Sequence, residues 1–271
     1  MAAHSMAAEP VLYAVQDGVA TLTLNDPARL NPLSMPLLQA ALAALRRVDE
    51  DRSVRVLVLR ATGRAFSAGA DLSALADAQQ APAQIDQLMG QGGNPLVLAL
   101  RSAPVPVLSV VQGIAAGGGV GIALAADVVI AARSASFMLP FVPALGLVPD
   151  MGAVWSMQRA LGPARTAGLC LLGDRLGAEQ AAQQGLIWAC IDDAALDAEA
   201  ARLAARLAAL PAHAATEMRA LQRQAEHDDL AAQLAYERRR QVALAAGGCF
   251  AEGVSAFLHK RRPRFAGRAG D

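Results

Sequence analysis

The alternation of apolar and polar residues near the start of the chain predicts a β-hairpin. Residues 11–24, VLYAVQDGVATLTL, alternate on both sides of Asp17-Gly18, a dipeptide that favours the tight turns between antiparallel strands. Ser34 then supplies a side-chain oxygen that can cap an amphipathic helix. The short β-branched run from Val54 to Leu59 predicts a buried strand after that helix.

Residues 105–133 form the central apolar region and predict a strand, a tight turn and a helix. The apolar run Val105–Val111 breaks at Gln112-Gly113, and glycines 117–119 then open an Ala- and Leu-rich stretch that closes at Asp127. Prolines and glycines interrupt the uncharged run, so we do not expect a membrane span. Glycines allow close approach of the backbone to a ligand, and unpaired N–H groups at a helix start favour negative charge. The region therefore predicts an anion or oxyanion site.

The remaining pattern decides the fold class. Residues 76–95 are rich in Gln, Ala, Gly and Pro, and their weak periodicity predicts a mobile excursion suited to an adaptable pocket wall. From Asp150 onward the pattern is helical, with longer Ala-rich helices at residues 194–209, 211–227 and 229–245. Strands with interleaved helices, followed by helices alone, predict an α/β fold with a helical C-terminal module.

Composition narrows the class of protein. The chain has 271 residues, and its 24 basic residues balance 24 acidic ones, so it carries no electrostatic footprint for nucleic acid. Its three cysteines are scattered and never form a C-x-x-C pair, which argues against a zinc site and for a reducing cytoplasm. No leader pattern opens the sequence. We therefore expect a cytoplasmic, metal-free protein that binds neither nucleic acid nor a membrane.

Four segments of the sequence resemble one enzyme family. They are AFSAGADL at 65–72, QGIAAGGGVGIALAADVVIA at 112–131, LGLVPDMGAVW at 145–155 and EGVSAFLHKRRPRF at 252–265. In this order they resemble the crotonase superfamily, also called the enoyl-CoA hydratase/isomerase family. The pairing of AFxAGAD with a later GGG turn is specific for the family, whereas either motif alone is weak.

The resemblance implies a fold, an assembly and a substrate class. The expected fold is an α/β crotonase (ClpP-like) spiral of β-β-α units over residues 11–195, after a loose tail at 1–10 and before a helical trimerisation region at 196–271. Because family members form trimers that often pair, we expect a homotrimer or a hexamer. The implied substrate is an acyl-CoA thioester. No separate cofactor is implied, because coenzyme A is part of that substrate.

The resemblance also assigns site residues. The backbone N–H groups of Ala68 and Gly118 would form an oxyanion hole for the enolate of the thioester, and losing one such donor costs about 3 kcal/mol of barrier. Phe257 and Lys260 resemble residues that touch the CoA adenine and phosphates, although a basic helix end favoured by the helix dipole also explains them. Asp71 is expected chiefly as a cap or loop anchor. The substrate-binding candidates are Arg29, Arg64, Ala65, Gly69, Ala70, Asp71, Gly117, Phe141, Phe257 and Lys260.

The sequence departs from the hydratase pattern at two positions. The two glutamates that hold water in family hydratases fall on Gly121 and Phe141, so the acid and the base for hydration are missing. Asp150 matches the carboxylate of several family isomerases and the nucleophile of the chlorobenzoyl-CoA dehalogenase branch. Apolar neighbours would raise the pKa of this carboxylate by desolvation. A helix N-cap is the alternative role for Asp150.

Double-bond isomerisation of an enoyl-CoA, or a related isomerisation in aromatic-acid degradation, is the expected reaction. In this scheme Ala68 and Gly118 hold the thioester oxygen while Asp150 relays a proton between two carbons. An atypical hydratase or acyl-CoA hydrolase that positions water with Asp150 or Asp71 is the alternative enzyme. A homologue that binds acyl-CoA without turning it over is the alternative outside catalysis.

Overall fold

Two β-sheets organise the part of the chain that this computed structural model describes, residues 9–268. The strands are β1 Val11–Gln16, β2 Val19–Leu24, β3 Val56–Ala61, β4 Ala65–Ser67, β5 Val107–Val111, β6 Ile114–Ala116, β7 Val128–Ala132, β8 Ser136–Met138, β9 Leu176–Gly177 and β10 Ala189–Ile191. The α-helices are α1 Met35–Glu50, α2 Ala81–Leu88, α3 Asn94–Ser102, α4 Gly118–Leu124, α5 Ala153–Leu161, α6 Pro163–Leu172, α7 Ala178–Gln183, α8 Leu196–Ala208, α9 Ala214–Ala225, α10 Leu230–Ala245 and α11 Gly248–Leu258. The predicted tail over residues 1–10 lies outside the described residues apart from its last two positions.

The larger sheet contains the predicted hairpin at its edge. Its strand order is β1-β2-β3-β5-β7-β10, and the hairpin turn at Asp17 and Gly18 has positive φ at both residues. The pairs after β1–β2 are parallel, and β3, β5 and β7 are buried over almost their whole length. Parallel strands covered on both faces have nearly continuous apolar sequences, which explains the run of apolar residues in β5.

The smaller sheet places two short turns side by side. Its strand order is β4-β6-β8-β9, and β4 and β6 are parallel neighbours. β4 ends at Ser67 and β6 ends at Ala116, so the turns that follow them, residues 68–70 and 117–118, leave the same edge of the sheet. Helix α4 begins directly after the second turn, and all its residues are buried. The glycine-headed helix predicted from the sequence is therefore confirmed.

Residues 76–95, whose weak periodicity predicts a mobile excursion, are largely helical. The segment forms α2 and then a π-helical turn, Met89–Gly93, that runs into α3. Helix α2 buries no residue completely, which is why its sequence shows little periodicity. The two glycines that end the π-helical turn are buried because Leu38 and Met151 occupy the space where their side chains would lie.

Helices alone follow residue 195. The sequence pattern predicts them from Asp150 onward, and that start is wrong because β9 and β10, of two and three residues, are too short to give a strand pattern. Helix α8 packs on β2, β3, β5 and β7, whereas α10 has no buried residue and contacts α9 and α11. These last helices expose large apolar side chains, among them Leu230, Leu234, Val242, Phe250 and Phe257. Within residues 9–268 no single helix is long and apolar enough to cross a bilayer, and α10 with α11 meets that test only as a pair bent by 79°.

Candidate active site

The amide of Ala68 is occupied by a hydrogen bond. The Ala68 N–H donates to the Leu30 carbonyl oxygen at 2.9 Å. This N–H is therefore not available to a substrate, and the prediction that Ala68 supplies an oxyanion donor is wrong. The direction of the amide is fixed by the loop at residues 26–33, which is distant in sequence and gives no local sign of this contact.

Ala70 carries the free amide of the turn after β4. The Gly69 N–H donates to the Ser67 hydroxyl at 3.2 Å, and the Gly69 carbonyl accepts from the Leu33 N–H at 2.8 Å. Within residues 9–268 the Ala70 N–H has no hydrogen-bond acceptor. Ala70 is half-buried, so a ligand can reach this donor.

Gly118 supplies a second free amide. Gly117 donates its own N–H to the Met138 carbonyl at 2.9 Å and adopts a φ of +55°, a conformation that favours glycine. Gly118 is the first residue of α4, where backbone N–H groups lack partners within the helix, and no side chain caps this end. The Gly118 N–H is thus available beside the first turn.

The two turns contact each other through their backbones. A side chain on Gly69 would place its Cβ 2.9 Å from the Ala116 carbonyl oxygen, and one on Gly117 would place its Cβ 3.6 Å from the Gly69 Cα. Both glycines also have positive φ. Small residues are therefore required at both turns, and the turns that carry the two free amides are in contact.

Asp150 is an unpartnered carboxylate. Its Oδ1 atom is buried and has no hydrogen-bond partner within residues 9–268. Burial raises the pKa of Asp150 to about 6, and hydrogen bonding to its own backbone offsets this only partly. Gly152, not Asp150, occupies the N-cap of α5, and no side chain caps that helix. The alternative role of Asp150 as an N-cap is therefore wrong.

Met151, the residue after Asp150, packs against Gly118, which carries one of the free amides. Met151 is 3% exposed and has a φ of +48°, which is uncommon for a residue with a side chain. A Cβ on Gly118 would lie 2.6 Å from the Met151 sulfur, and Cβ atoms on Gly93 and Gly121 would overlap the Met151 methyl group and carbonyl. Three glycines thus make room for this one residue, which fixes the position of the adjoining carboxylate.

Two of the predicted substrate-binding residues form an ion pair at the rim of the site. The Arg29 guanidinium binds Asp71 at 2.9 Å and Asp26 at 2.6 Å. Asp71 also caps the short helix at residues 72–75 by accepting from the Ser73 N–H at 3.2 Å, and the Ser73 hydroxyl lowers the pKa of Asp71. The expectation that Asp71 is a cap and loop anchor is confirmed.

The other candidates separate into two groups. Phe141 is buried against Gly117, with a ring carbon 3.4 Å from the Cβ that a side chain there would have. Ala65 is buried in β4, and Arg64 before it is exposed. Phe257 is 84% exposed and lines a cavity formed by C-terminal residues of the described chain, and Lys260 is exposed after α11. Neither Phe257 nor Lys260 lines the cavity beside the turn after β4.

A cavity of about 280 Å³ opens beside the turn that carries Ala70. It is lined by Leu33, Asp71 and apolar residues that include Leu75 and Leu88, a lining suited to an acyl chain. A cavity of about 810 Å³ lies between α5 and α9 and contains none of the predicted site residues. No group of three or more His, Cys, Asp or Glu side chains suited to a metal occurs in residues 9–268.

The sequence does not predict the roles of two residues. It predicts Ala70 as a contact residue and not as the donor, and it predicts no role for Asn31. Asn31 is completely buried and donates to the carbonyls of Thr62, just before β4, and of Ala65, the first residue of β4. An Asn-Pro pair in a loop is the sequence sign that was available, because Asn tolerates left-handed backbone conformations.

Known proteins show which family this chain belongs to. Residues 14–268 match the enoyl-CoA hydratase/isomerase family. The 1,2-epoxyphenylacetyl-CoA isomerase of Escherichia coli (strain K12) is 41% identical over 96% of this chain and 99% of its own length. A probable enoyl-CoA hydratase of Rhodobacter capsulatus is 39% identical over 97% of this chain and 100% of its own length.

A solved structure agrees with these relatives. The crystal structure of an enoyl-CoA hydratase/isomerase from Mycobacterium abscessus superimposes with a TM-score of 0.89 at 33% identity, covering 95% of this chain and 99% of that one. The chain therefore belongs to the class of proteins that have the crotonase fold. Within that class, the chain belongs to the enoyl-CoA hydratase/isomerase family.

Proposed function

We propose that this chain is a cytoplasmic isomerase that moves a carbon–carbon double bond in an acyl-CoA thioester. The observation that carries the proposal is the Asp150 carboxyl group, whose Oδ1 atom is buried without a hydrogen-bond partner and whose pKa is raised to about 6. Perturbed titratable groups of this kind cluster at functional sites. The isomerase name of the Escherichia coli relative supports the same reaction class.

Two backbone amides stabilise the charge that develops in this reaction. The Ala70 and Gly118 N–H groups donate to the thioester oxygen, which becomes an enolate oxygen when the neighbouring carbon loses a proton. Asp150 takes that proton from C2 of a 3-enoyl-CoA, and the C2–H electron pair forms the enolate. The enolate then collapses to a double bond between C2 and C3, the double bond between C3 and C4 breaks, and Asp150 returns the proton to C4.

The test measures isomerisation in both directions. Wild-type protein and Asp150→Asn are incubated separately with 3-enoyl-CoA and 2-enoyl-CoA, and the products are separated by chromatography. We expect the wild type to interconvert the two thioesters and the variant to be slower by about a hundredfold or more. Equal rates from both proteins would remove Asp150 from the reaction.

Hydration is the second candidate, because a 39% identical relative is a probable enoyl-CoA hydratase. Gly121 argues against it. A side chain on Gly121 would overlap the Met151 carbonyl, so a glutamate there displaces the residue next to Asp150. We expect neither the wild type nor Gly121→Glu to form 3-hydroxyacyl-CoA from crotonyl-CoA, and Gly121→Glu to unfold at lower urea concentration. Rapid formation of the hydroxy product would favour the hydratase.

We also propose that the protein assembles as a trimer or a dimer of trimers. The large apolar side chains exposed on α10 and α11 support this, because a monomer rarely leaves such a set in water. An assembly would also allow Phe257 and Lys260 to reach the coenzyme A of a neighbouring subunit. Sedimentation equilibrium measures the mass directly, and a monomer would contradict the proposal.

A further inference from the structure

We infer that Asn31 is a positioning residue that keeps the Ala70 amide free and aimed at the thioester oxygen. The inference rests on the proposed function, since it concerns the same oxyanion site. Asn31 does not touch the substrate in this scheme. It lies in the loop at residues 26–33 and acts through the hydrogen bonds that this loop makes to the turn after β4.

The Asn31 side chain joins three backbone segments. Asn31 is 0% exposed. Its Nδ2 atom donates to the carbonyls of Thr62 and Ala65, both at 2.9 Å, and its Oδ1 atom accepts from the Asp26 N–H at 2.7 Å. Both amide hydrogens and the oxygen are thus used inside the protein, and a buried amide satisfied in this way holds its neighbours rigidly.

The backbone of the same loop forms hydrogen bonds with other polar groups of the turn. Leu30 and Asn31 have left-handed backbone conformations, with φ of +66° and +52°. The Leu30 carbonyl accepts from Ala68, as described above, and the Asn31 carbonyl accepts from the Ser67 hydroxyl at 2.8 Å. That hydroxyl in turn accepts the Gly69 N–H.

The consequence is a selection among three successive amides. The loop occupies the N–H of Ala68 directly and that of Gly69 through Ser67, so only Ala70 can donate to a ligand. If the Asn31 side chain is removed, the loop loses its hydrogen bonds to Thr62 and to Ala65 at the start of β4, and its backbone bonds to the turn are held less rigidly. The Ala68 and Gly69 amides then compete with Ala70 for the thioester oxygen, in poorer geometry. Preorganisation of donors is what makes such a site effective.

Infrared difference spectroscopy tests this without depending on turnover. The probe is butanoyl-CoA with an isotope label in the thioester carbonyl, a saturated ligand that has no double bond to shift. Hydrogen bonds from the oxyanion site lower the stretching frequency of the carbonyl. The variants are Asn31→Gly, which retains freedom for positive φ, and Asn31→Asp, which removes the donors at constant size. Ile130→Val, at a fully buried position in β7, controls for a general loss of stability.

We expect the wild type and Ile130→Val to show the same lowered frequency. Both Asn31 variants are expected to lose most of the shift and to have kcat reduced by about a hundredfold, with butanoyl-CoA affinity changed by less than about threefold. A merely structural role would change stability and affinity but not the carbonyl frequency of bound ligand. If the Asn31 variants do not fold, Ser67→Ala replaces them in the test, because it leaves the buried Asn31 side chain intact. We expect Ser67→Ala to lose part of the frequency shift.

Each outcome decides a separate question. The role of Asn31 would be overturned if the folded Asn31 variants kept the wild-type carbonyl frequency and kcat. If the Asn31 variants do not fold, the same result in Ser67→Ala would overturn it. A wild type that lowers the carbonyl frequency but isomerises no enoyl-CoA would contradict the proposed reaction alone, and the comparison of frequencies would still decide the role of Asn31. A wild type that leaves the frequency unchanged would overturn both.

Discussion

Replacing Asp150 with Asn is expected to raise stability while it slows isomerisation by about a hundredfold or more. Burial moves the pKa of Asp150 from 3.8 to about 6 in the folded protein. That difference corresponds to about 3 kcal/mol against the charged form, because each pKa unit is worth about 1.4 kcal/mol. Asn carries no charge at any pH. The variant therefore avoids this cost, although its buried amide retains part of the desolvation penalty.

The sign of the pH dependence follows from the raised pKa. The folded state binds the Asp150 proton more tightly than the unfolded state does. Below pH 3.8 the carboxyl group is protonated in both states and does not destabilise the folded protein. Its contribution worsens as the pH rises from 3.8 to about 6 and is then constant. Near pH 3.8 we expect Asp150→Asn and the wild type to have the same free energy of unfolding. At about pH 8 we expect the free energy of unfolding of the variant to be about 1–3 kcal/mol higher than that of the wild type.

Urea denaturation at several pH values measures this difference, and isomerase assays follow the same pH series. The base form of Asp150 is the active one, so kcat/KM of the wild type should rise with pH, with a midpoint near 6. The control is Asp197→Asn, since the Asp197 side chain is 78% exposed and pairs with Arg60 on the surface. It should leave both the activity and the pH dependence of stability unchanged.

Two results would refute this reasoning. A variant less stable than the wild type at about pH 8 would show that the carboxylate is not buried without a partner. If the variant had wild-type activity, or if kcat/KM of the wild type rose with a midpoint far below pH 6, the proton acceptor would be another group.

Two further predictions concern packing around the site and away from it. Gly118→Ala places its Cβ 2.6 Å from the Met151 sulfur, so the neighbouring Asp150 carboxylate should shift and kcat should fall by about tenfold or more. The control is Gly168→Ala, which has open space around its Cβ. It should leave kcat unchanged and be neutral or stabilising in urea denaturation. Arg219→Met breaks the ion pair with Asp127 and should lower the free energy of unfolding by about 3 kcal/mol, with kcat unchanged in the folded protein. A wild-type kcat in Gly118→Ala, or wild-type stability in Arg219→Met, would contradict the corresponding prediction.

Locally encoded elements could be predicted from the sequence. The hairpin at Asp17-Gly18, the N-cap at Ser34 and the glycine-headed helix α4 each depend on a few adjacent residues, and all three are confirmed. The crotonase fold followed from motifs in the right order. In these cases the pattern within one segment carries enough information to fix its structure.

The errors come from contacts between distant segments. The choice between Ala68 and Ala70 depends on a carbonyl of Leu30, which no pattern within AFSAGADL reveals. Asp150 precedes a helix and so resembles a cap, but Met151 and the following glycine both have positive φ and move the helix start away from it. The sequence does not predict helix α2, because this helix of eight residues buries none of them completely and its pattern is short.

The central claim is that two amides from neighbouring turns bind one thioester oxygen beside the Asp150 carboxylate. A crystal structure of the protein with butanoyl-CoA bound tests it most directly. We expect the thioester oxygen about 2.7–3.1 Å from both the Ala70 and the Gly118 nitrogens, with the carboxylate facing the carbons next to the carbonyl. A thioester oxygen bound elsewhere, or held by the Ala68 amide in place of Ala70, would contradict the claim.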